Sequence, residues 1–327
     1  CPAQERMSLG CCNTNSLVAT SNKHVMVQLA AQHSTCLHTV ARGPDSLERI
    51  SCSKSVQVSL VGAGPGDPEL LTVKAMRRLQ AAEVVLHDNL ISEEILSLVP
   101  DTAELVNVGK RCGDVKDRGL QQQEIHDLLL MYASQGLRVV RLKCGDPLVF
   151  GRGGEELEYL AEHGVEAEVV PGITTALGAA ASCQVPLTHR GYECNQVRLM
   201  VGQTKARAVP DFEWDELARD ISRQTVVLYM GMKMLEGICD KLKENGAAYD
   251  TPIALVESAT TPSQRILVGT IDTMPAVALE KQAGSSGAPV IFFIGPTVAF
   301  PNHVEALLQK SGVPSARHGG AIEKIIK

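Results

Sequence analysis

The stretch VGAGPGDP at residues 61–68 joins an apolar run to a segment with helical periodicity. Residues 56–61 (VQVSLV) have the apolar, β-branched character of a buried strand, and residues 69–80 (ELLTVKAMRRLQ) repeat apolar side chains at helical spacing. Asp67 as N-cap and Pro68 at the first helical position predict that the helix begins at Pro68. A strand, a glycine-rich turn and a helix in this order are typical of α/β proteins that bind nucleotides.

The glycine-rich turn differs from the dinucleotide fingerprint GxGxxG, because its three glycines are spaced as GxGxG. Pro65 within the turn has no N–H that could donate a hydrogen bond to a phosphate. Asp67 stands where the third glycine is expected, and its carboxylate would repel a phosphate. The turn therefore favours a neutral or cationic nucleoside. Asp88 nevertheless lies at about the distance along the chain where a ribose-binding acid is found, so a nicotinamide-dependent oxidoreductase stays an alternative.

The composition limits the class of protein and its partners. A length of 327 residues is enough for about two domains, and 44% apolar with 21% charged residues is typical of a globular chain. The chain has no run of eighteen or more apolar residues, so we predict no membrane partner. Its net charge of −6 argues against broad binding to nucleic acids, and an acidic ligand would need a local cluster of basic side chains.

The cysteines and histidines are not spaced as metal ligands. None of the ten cysteines forms a CxxC pair, and none of the nine histidines forms an HxxxH pair. We therefore predict no metal site and reduced, unpaired thiols.

Residues 1–54 differ in composition from the rest of the chain. They hold eleven serine or threonine residues and five basic residues against three acids, and they show no sustained helical or strand period. This composition is typical of an organelle transit peptide, and a plain disordered tail is the alternative.

Two series of apolar, β-branched runs follow, with helical periods between several of them. They lie at residues 56–61, 83–87, 104–108, 138–142 and 167–170, and at residues 196–202, 225–230, 252–257, 264–270 and 289–295. The polar, turn-like residues 187–195 (LTHRGYECN) form the predicted linker between the series. We predict an α/β protein of two domains, each with a sheet of about five strands. The predicted segments are a leader (1–54), an N-terminal domain (55–190), a C-terminal domain (191–310) and a tail (311–327).

Residues suited to binding or catalysis follow the strands of the first series. They are the glycine-rich turn after the first strand, Asp88, Lys110, CGDP (144–147) and PGITT (171–175), in strand order. Because the carboxyl ends of parallel strands meet at one edge of a sheet, where ligands of α/β proteins bind, we predict a site at this edge.

From about residue 56 to residue 310, the chain resembles the uroporphyrinogen-III C-methyltransferases of the tetrapyrrole methylase family. The matching motifs, in the family's order, are VGAGPGDPELLTVKA, HDNLIS, VGKR, RLKCGDPLVFGRGGEE, VVPGITTALGAAA, VPLTHR, LYMGM and ALVESATTPSQR. The resemblance implies the tetrapyrrole methylase fold, with an active-site cleft between two α/β domains, and a homodimer. The chain departs from the family at His87, Cys144 and Gln203, where tyrosine, glycine and histidine are usual.

The resemblance also implies a reaction and its site residues. The reaction is two successive methyl transfers from S-adenosylmethionine to C2 and C7 of uroporphyrinogen III, giving precorrin-2 through precorrin-1 for siroheme biosynthesis, which in a plant is expected in the plastid stroma. Asp88 would accept a proton and Lys110 would donate one. The residues implied to line the cofactor site are Pro65, Cys144, Gly145, Asp146, Val149, Thr174, Thr175, Met230 and Ala259.

The acceptor carries eight carboxylates, so a site for it needs guanidinium and ammonium groups. Basic side chains in or beside the motifs would supply them at Arg111, Arg141, Lys143, Arg152 and Arg190. Simpler alternatives are that Arg141 and Lys143 face solvent, that Asp146 caps a turn, and that Met230 packs in the core. A non-catalytic tetrapyrrole carrier that uses only the basic rim is the third functional hypothesis.

Overall fold

The computed structural model describes residues 57–109, 121–204, 206–311 and 322–324. These residues belong to one unit that contains two β-sheets. The predicted leader at residues 1–54 lies outside them. Within the described part of the chain, no helix has the length and apolar character needed to cross a membrane.

The first sheet has five parallel strands in the order β3-β2-β4-β1-β5. The strands are β1 (Val58–Gly62), β2 (Val84–His87), β3 (Glu104–Asn107), β4 (Val139–Lys143) and β5 (Ala167–Val170). The helices of this part of the chain are α1 (Val73–Gln80), α2 (Glu93–Leu96), α3 (Gln122–Ser134) and α4 (Gly153–Glu162). β1, β2 and β4 are buried along their whole length, because apolar clusters cover both faces of the sheet.

The second sheet has six strands in the order β11-β9-β8-β10-β7-β6. Its outer pairs, β6 with β7 and β9 with β11, are parallel, and the inner pairs are antiparallel. The strands are β6 (Gln196–Val201), β7 (Gln224–Tyr229), β8 (Pro252–Glu257), β9 (Arg265–Thr270), β10 (Val290–Ile294) and β11 (Ile322–Lys324). The remaining helices are α5 (Thr175–Ser182), α6 (Trp214–Asp220), α7 (Leu235–Glu244), α8 (Met274–Glu280) and α9 (Phe300–Lys310).

All ten predicted strands are confirmed, with small shifts at their ends. The sixth strand of the second sheet, β11, comes from the predicted tail and pairs in parallel with β9. A three-residue strand is too short for its period to be recognised in the sequence.

The first helix begins later than predicted. Asp67 does act as a cap, because its carboxylate accepts a hydrogen bond from Glu69 N, but it caps a single 3₁₀ turn at Pro68–Leu70. The α-helix begins at Val73 instead, where Thr72 Oγ1 accepts a hydrogen bond from Ala75 N at 3.0 Å. The periodicity alone predicts one helix, but two capping residues five positions apart, Asp67 and Thr72, divide it into a 3₁₀ turn and an α-helix.

Helix α5 lies before the predicted linker but packs against the second sheet. Its buried residues Ala176, Ala179 and Ala180 contact the apolar cluster that includes Val227 and Phe293. The chain therefore passes from one sheet to the other before α5, ahead of the polar residues 187–195. Small side chains make this possible, because they let the helix approach the sheet closely.

Glu168 on β5 connects the edge of the first sheet to α1. Its carboxylate accepts a hydrogen bond from Ser59 Oγ at 2.9 Å and pairs with Lys74 Nζ at 2.7 Å and with Arg78. Burial alone would raise the pKa of Glu168, but the hydrogen bonds from Arg78, Lys74 and Ser59 lower it to about 2. The folded-state pKa is thus below the ordinary value of 4.5, so these contacts stabilise the fold above pH 4.5 and lose that effect as the pH falls towards 2.

Glu168→Gln is therefore expected to destabilise the protein in a pH-dependent way. We expect the free energy of unfolding to fall by roughly 1–2 kcal/mol at pH 7, a value that allows for solvent screening, and by less than half of that at about pH 3. Urea unfolding at the two pH values measures the difference. Glu166→Gln, at an exposed residue two positions earlier, is the matched control. An equal loss at both pH values would show that the effect is not ionic.

Candidate active site

Three glycine-containing turns meet at the carboxyl edge of the first sheet. The turns after β1 and β4 exchange two backbone hydrogen bonds, from Gly64 N to Gly145 O at 3.2 Å and from Gly145 N to Gly64 O at 2.8 Å. The turn after β5 packs on both, since a Cβ atom on Gly172 would lie 2.1 Å from Gly145 O and 2.8 Å from Gly62 Cα. The structure confirms that these strand ends converge. Lys110, predicted at the same edge, lies outside the described residues.

Asp146 holds two of these turns together through its carboxylate. Oδ1 accepts a hydrogen bond from Leu148 N at 2.9 Å, and Oδ2 accepts one from Gly172 N at 3.1 Å. The turn-capping role is thus confirmed for Asp146. Val149 follows in the same turn, where its N–H donates to Asp146 O at 3.3 Å.

Cys144 is compatible with this arrangement although the family usually has glycine there. Its side chain packs against the apolar cluster between the sheet and α1, and its Sγ atom lies 4.0 Å from Gly64 O. Burial raises the pKa of the Cys144 thiol to about 12, so the group stays protonated and unreactive at neutral pH. The half-buried residue is accommodated against this cluster.

The second half of the chain contributes Tyr229 and Met230 from the end of β7. Tyr229 Oη lies 2.7 Å from Thr174 Oγ1 and accepts a hydrogen bond from Ala176 N at 3.0 Å, which caps the start of α5. Burial raises the pKa of Tyr229, so its hydroxyl stays protonated. Met230 has φ +55° and is 47% exposed, so core packing, the simpler alternative for this residue, is wrong.

The turn after β8 meets the opening glycine-rich turn. A Cβ atom on Gly66 would lie 3.4 Å from Ala259 O, and Asp67 N donates to Thr260 Oγ1 at 3.3 Å. Pro65 packs against α5, because a Cβ atom on Gly178 would lie 2.4 Å from its ring. The structure therefore brings the nine predicted cofactor contacts into one region built from both halves of the chain.

Tyr229→Phe is expected to weaken binding of S-adenosylhomocysteine, the probe for this region, about threefold to tenfold. The substitution keeps the ring but removes the hydroxyl that holds Thr174 and caps α5, and one such hydrogen bond contributes about 1 kcal/mol. Isothermal titration calorimetry measures the affinity. Tyr249→Phe, at a 65% exposed ring, is the control. Unchanged affinity in Tyr229→Phe would show that this contact does not order the site.

Asp88 lies at the same edge, above a buried group of charges. Arg141 Nη2 donates to Asp88 Oδ1 at 2.5 Å, Arg141 Nε donates to Glu156 Oε1 at 3.1 Å, and Lys143 Nζ donates to the same oxygen at 2.8 Å. Arg141 and Lys143 are only 2% and 3% exposed. The alternative that these two cations face solvent is therefore wrong, and they do not lie on an accessible rim as predicted either.

The other predicted basic contacts divide into two groups. Arg152 and Arg190 are exposed, and the Arg152 guanidinium pairs with Glu155 through hydrogen bonds of 2.8 and 2.6 Å. Arg111 lies outside the described residues.

No group of three or more histidine, cysteine, aspartate or glutamate side chains in the described ranges is placed to hold a metal ion.

Sequence reasoning missed two residues of this site, Glu156 and Tyr229. Arg141 and Lys143 alternate along a strand whose other residues are apolar, a pattern that fits either a solvent-facing side or a buried carboxylate partner, so it does not identify Glu156. Tyr229 carries no sequence signal, because a tyrosine at the end of a strand is common.

The comparisons with known proteins agree with this geometry. The family model for Tetrapyrrole (Corrin/Porphyrin) Methylases matches residues 57–275. The chain belongs to the tetrapyrrole methylase family. The resemblance and the fold predicted from the motifs are thereby confirmed.

Relatives of this tetrapyrrole methylase include siroheme synthases. The siroheme synthase of Thiobacillus denitrificans is 45% identical over 242 residues, which are 74% of this chain and 48% of that protein. The siroheme synthase of Pseudomonas fluorescens is 46% identical over 242 residues, which are 74% of this chain and 50% of that protein. The chain thus spans about half the length of these curated relatives.

Solved structures of methyltransferases share the fold. A uroporphyrin-III C-methyl transferase from Thermus thermophilus, complexed with S-adenosyl homocysteine, is 39% identical with a TM-score of 0.62, over 75% of this chain and 99% of that chain. A cobalt precorrin-4 methyltransferase is 27% identical with a TM-score of 0.65, over 75% and 96% of the two chains.

Proposed function

We propose that this chain transfers methyl groups from S-adenosylmethionine to uroporphyrinogen III. Its family and its similarity to the Thermus thermophilus enzyme support this class of reaction. The observation that carries the proposal is the meeting of the turns after β1, β4, β5, β7 and β8, which gathers the nine predicted cofactor contacts.

The residues of this region fit a neutral or cationic nucleoside. Gly64, Gly66 and Gly145 have φ of +72°, +143° and +69°, which glycine adopts without strain, and Asp146 uses both carboxylate oxygens to accept hydrogen bonds from backbone N–H groups. S-adenosylmethionine supplies an electrophilic methyl group on a sulfonium sulfur, which keeps the bonding electrons in S-adenosylhomocysteine. The residues that would hold it are Pro65, Cys144, Gly145, Asp146, Val149, Thr174, Thr175, Met230 and Ala259.

Asp88 is the base of the proposed reaction. A pyrrole carbon that gains a methyl group gives the macrocycle one positive charge, and loss of a proton, whose bonding electrons stay in the ring system, restores neutrality. The Asp88 side chain is 29% exposed, and none of the described residues hydrogen-bonds to its Oδ2. This oxygen is available to accept the proton. Lys110 is the proposed proton donor.

The proposed acceptor positions are C2 and C7, methylated in turn through precorrin-1 to precorrin-2 in siroheme biosynthesis. The siroheme synthase relatives support this pathway. Arg111, Arg152 and Arg190 are the proposed contacts to the acceptor's carboxylates. Because these carboxylates surround the macrocycle, a turned substrate would still meet cations at the second transfer.

Calorimetric titration of the purified chain tests the proposal against its alternatives. We expect saturable binding of S-adenosylhomocysteine and no binding of NADH. Binding of NADH alone would favour an oxidoreductase. Binding of a uroporphyrin without S-adenosylhomocysteine would favour a carrier, and either result would contradict the proposal.

We also propose that the chain forms a homodimer. β6 is one of the two outer strands of the second sheet, and it exposes Val197 (37%) and Leu199 (38%) beside an edge to which no other described strand pairs, a kind of edge that proteins tend to cover. Light scattering coupled to size-exclusion chromatography is expected to give twice the mass of one chain. A monomer at micromolar concentration would contradict this proposal.

The proposed location is the plastid stroma. The acid-poor, hydroxyl-rich residues 1–54 support it, and we expect the mature protein to begin between residues 40 and 56. N-terminal sequencing of the endogenous protein tests the proposal, and a retained leader would refute it.

A further inference from the structure

Two buried cations lie directly beneath the proposed base. Arg141 and Lys143 are two residues apart on β4, so their side chains point to the same face of the sheet, the face that α3 and α4 cover. Glu156 enters from α4 and is fully buried. Together with Asp88 the group has two positive and two negative charges, so its net charge is zero.

The Arg141 guanidinium is fixed on three sides. Nε donates to Glu156 Oε1 at 3.1 Å, Nη1 donates to Leu86 O at 3.3 Å and to Leu142 O at 3.1 Å, and Nη2 donates to Asp88 Oδ1. The planar group is therefore held in one orientation, and each of its three nitrogens donates within the protein. A carboxylate of the acceptor could not replace Asp88 here without entering the interior.

Glu156 takes part in the group through one carboxylate oxygen, Oε1, whereas Oε2 is buried without a hydrogen-bond partner among the described residues. Its Oε1 accepts from Lys143 Nζ at 2.8 Å and from Gln122 Nε2 at 3.3 Å, in addition to Arg141. Burial and the neighbouring Arg141 lower the pKa of Lys143. Burial acts in the same direction on Arg141, but the carboxylates of Asp88 and Glu156 outweigh it and raise the pKa of Arg141. Arg141 therefore stays protonated and positively charged within the group.

We propose that Arg141, held by Glu156 and Lys143, is a positioning residue that orients the Asp88 carboxylate for proton removal, an inference that rests on the proposed function. Arg141 binds Oδ1 and so restrains the rotation of the carboxylate, while Oδ2 receives no hydrogen bond from the described residues and the side chain is 29% exposed. Proton removal slows greatly when the base is displaced by even 1 Å. We therefore expect the fixed guanidinium to affect the turnover rate and not the affinity for the substrate.

The variant Arg141→Met tests this role. It keeps an unbranched side chain, leaves Glu156 paired with Lys143, and removes the group that holds Asp88. We expect kcat, counted per S-adenosylhomocysteine-binding site, to fall at least about tenfold, while KM for uroporphyrinogen III and the affinity for S-adenosylhomocysteine stay within about threefold. An increase in KM with kcat retained would make Arg141 a substrate contact and overturn the proposal. Unchanged kinetics would overturn it as well.

Two further variants keep the test decisive. Arg138→Met makes the same change on an exposed arginine that pairs with Glu83, and it is expected to leave both constants unchanged. Arg141→Lys keeps the charge without the planar fork, so its kcat is expected between those of Arg141→Met and the unaltered chain. If Arg141→Met does not fold, this variant decides, and an unaltered kcat in it would overturn the proposal.

Failure of this inference is distinguishable from failure of the proposed function. An unaltered chain that methylates no tetrapyrrole contradicts the function, and Asp88→Asn at full rate contradicts the assignment of the base. A chain that methylates, loses its rate in Asp88→Asn and keeps it in Arg141→Met contradicts the positioning role alone.

Discussion

Gly172→Ala is expected to abolish measurable binding of S-adenosylhomocysteine and to lower the free energy of unfolding by about 1–3 kcal/mol. A Cβ atom at this position would lie 2.1 Å from Gly145 O and 2.8 Å from Gly62 Cα. Both neighbours are backbone atoms, which cannot rotate away as a side chain does. The turns after β1 and β4 would have to separate, and the paired hydrogen bonds between Gly64 and Gly145 would break.

Calorimetry measures the affinity of Gly172→Ala, and urea unfolding measures its stability. Gly154→Ala is the matched control, because a Cβ atom there meets no atom within 4 Å and alanine favours the helix in which it lies. The control is expected to keep the affinity and to gain slightly in stability. Unaltered affinity in Gly172→Ala would show that the three turns do not form the cofactor site.

Asp88→Asn is expected to lower the rate of methyl transfer by about 10²–10⁴-fold, the usual contribution of a positioned base. The amide has nearly the same shape as the carboxylate, but it cannot accept the proton that must leave the macrocycle. Because the Asp88 side chain hydrogen-bonds to Arg141 and, among the described residues, to none of the turns that meet around Gly145, we expect the affinity for S-adenosylhomocysteine to change by less than about twofold.

Single-turnover measurements under anaerobic conditions give the rate for Asp88→Asn without interference from product release. Asp101→Asn, at an exposed aspartate in the same half of the chain, controls for the loss of one negative charge. A rate for Asp88→Asn equal to that of the control would eliminate Asp88 as the base, while the methyltransferase assignment itself would stand.

The strands and the position of the site are predictable because each depends on a local signal. β1, β2 and β4 are continuous apolar runs, as expected of central strands in a parallel sheet, and their carboxyl ends carry the glycines and acids that mark a ligand edge. Because the strands are parallel, their carboxyl ends all lie at the same edge of the sheet. The positions of these residues in the sequence are therefore enough to place them together.

The partners of Arg141 and Lys143 are not predictable in the same way. Strand period places both side chains on one face, but only the packing of α4 on that face shows that Glu156 meets them and that solvent does not. The position of α5 depends on packing as well. Its small residues suit either sheet, and contacts with Val227 and Phe293 decide between them. The partners of Arg141 and Lys143 and the position of α5 depend on contacts between segments that are distant in the sequence, so no local sequence pattern predicts them.

The most direct test of the central claim is mass spectrometry of an anaerobic reaction that contains the purified chain, uroporphyrinogen III and S-adenosylmethionine with an isotopically labelled methyl group. We predict a transient product with one labelled methyl group, followed by a final product with two. A tetrapyrrole that acquires no label while the chain binds S-adenosylhomocysteine would contradict the proposed substrate, and a product that stops at one methyl group would contradict the two-step reaction.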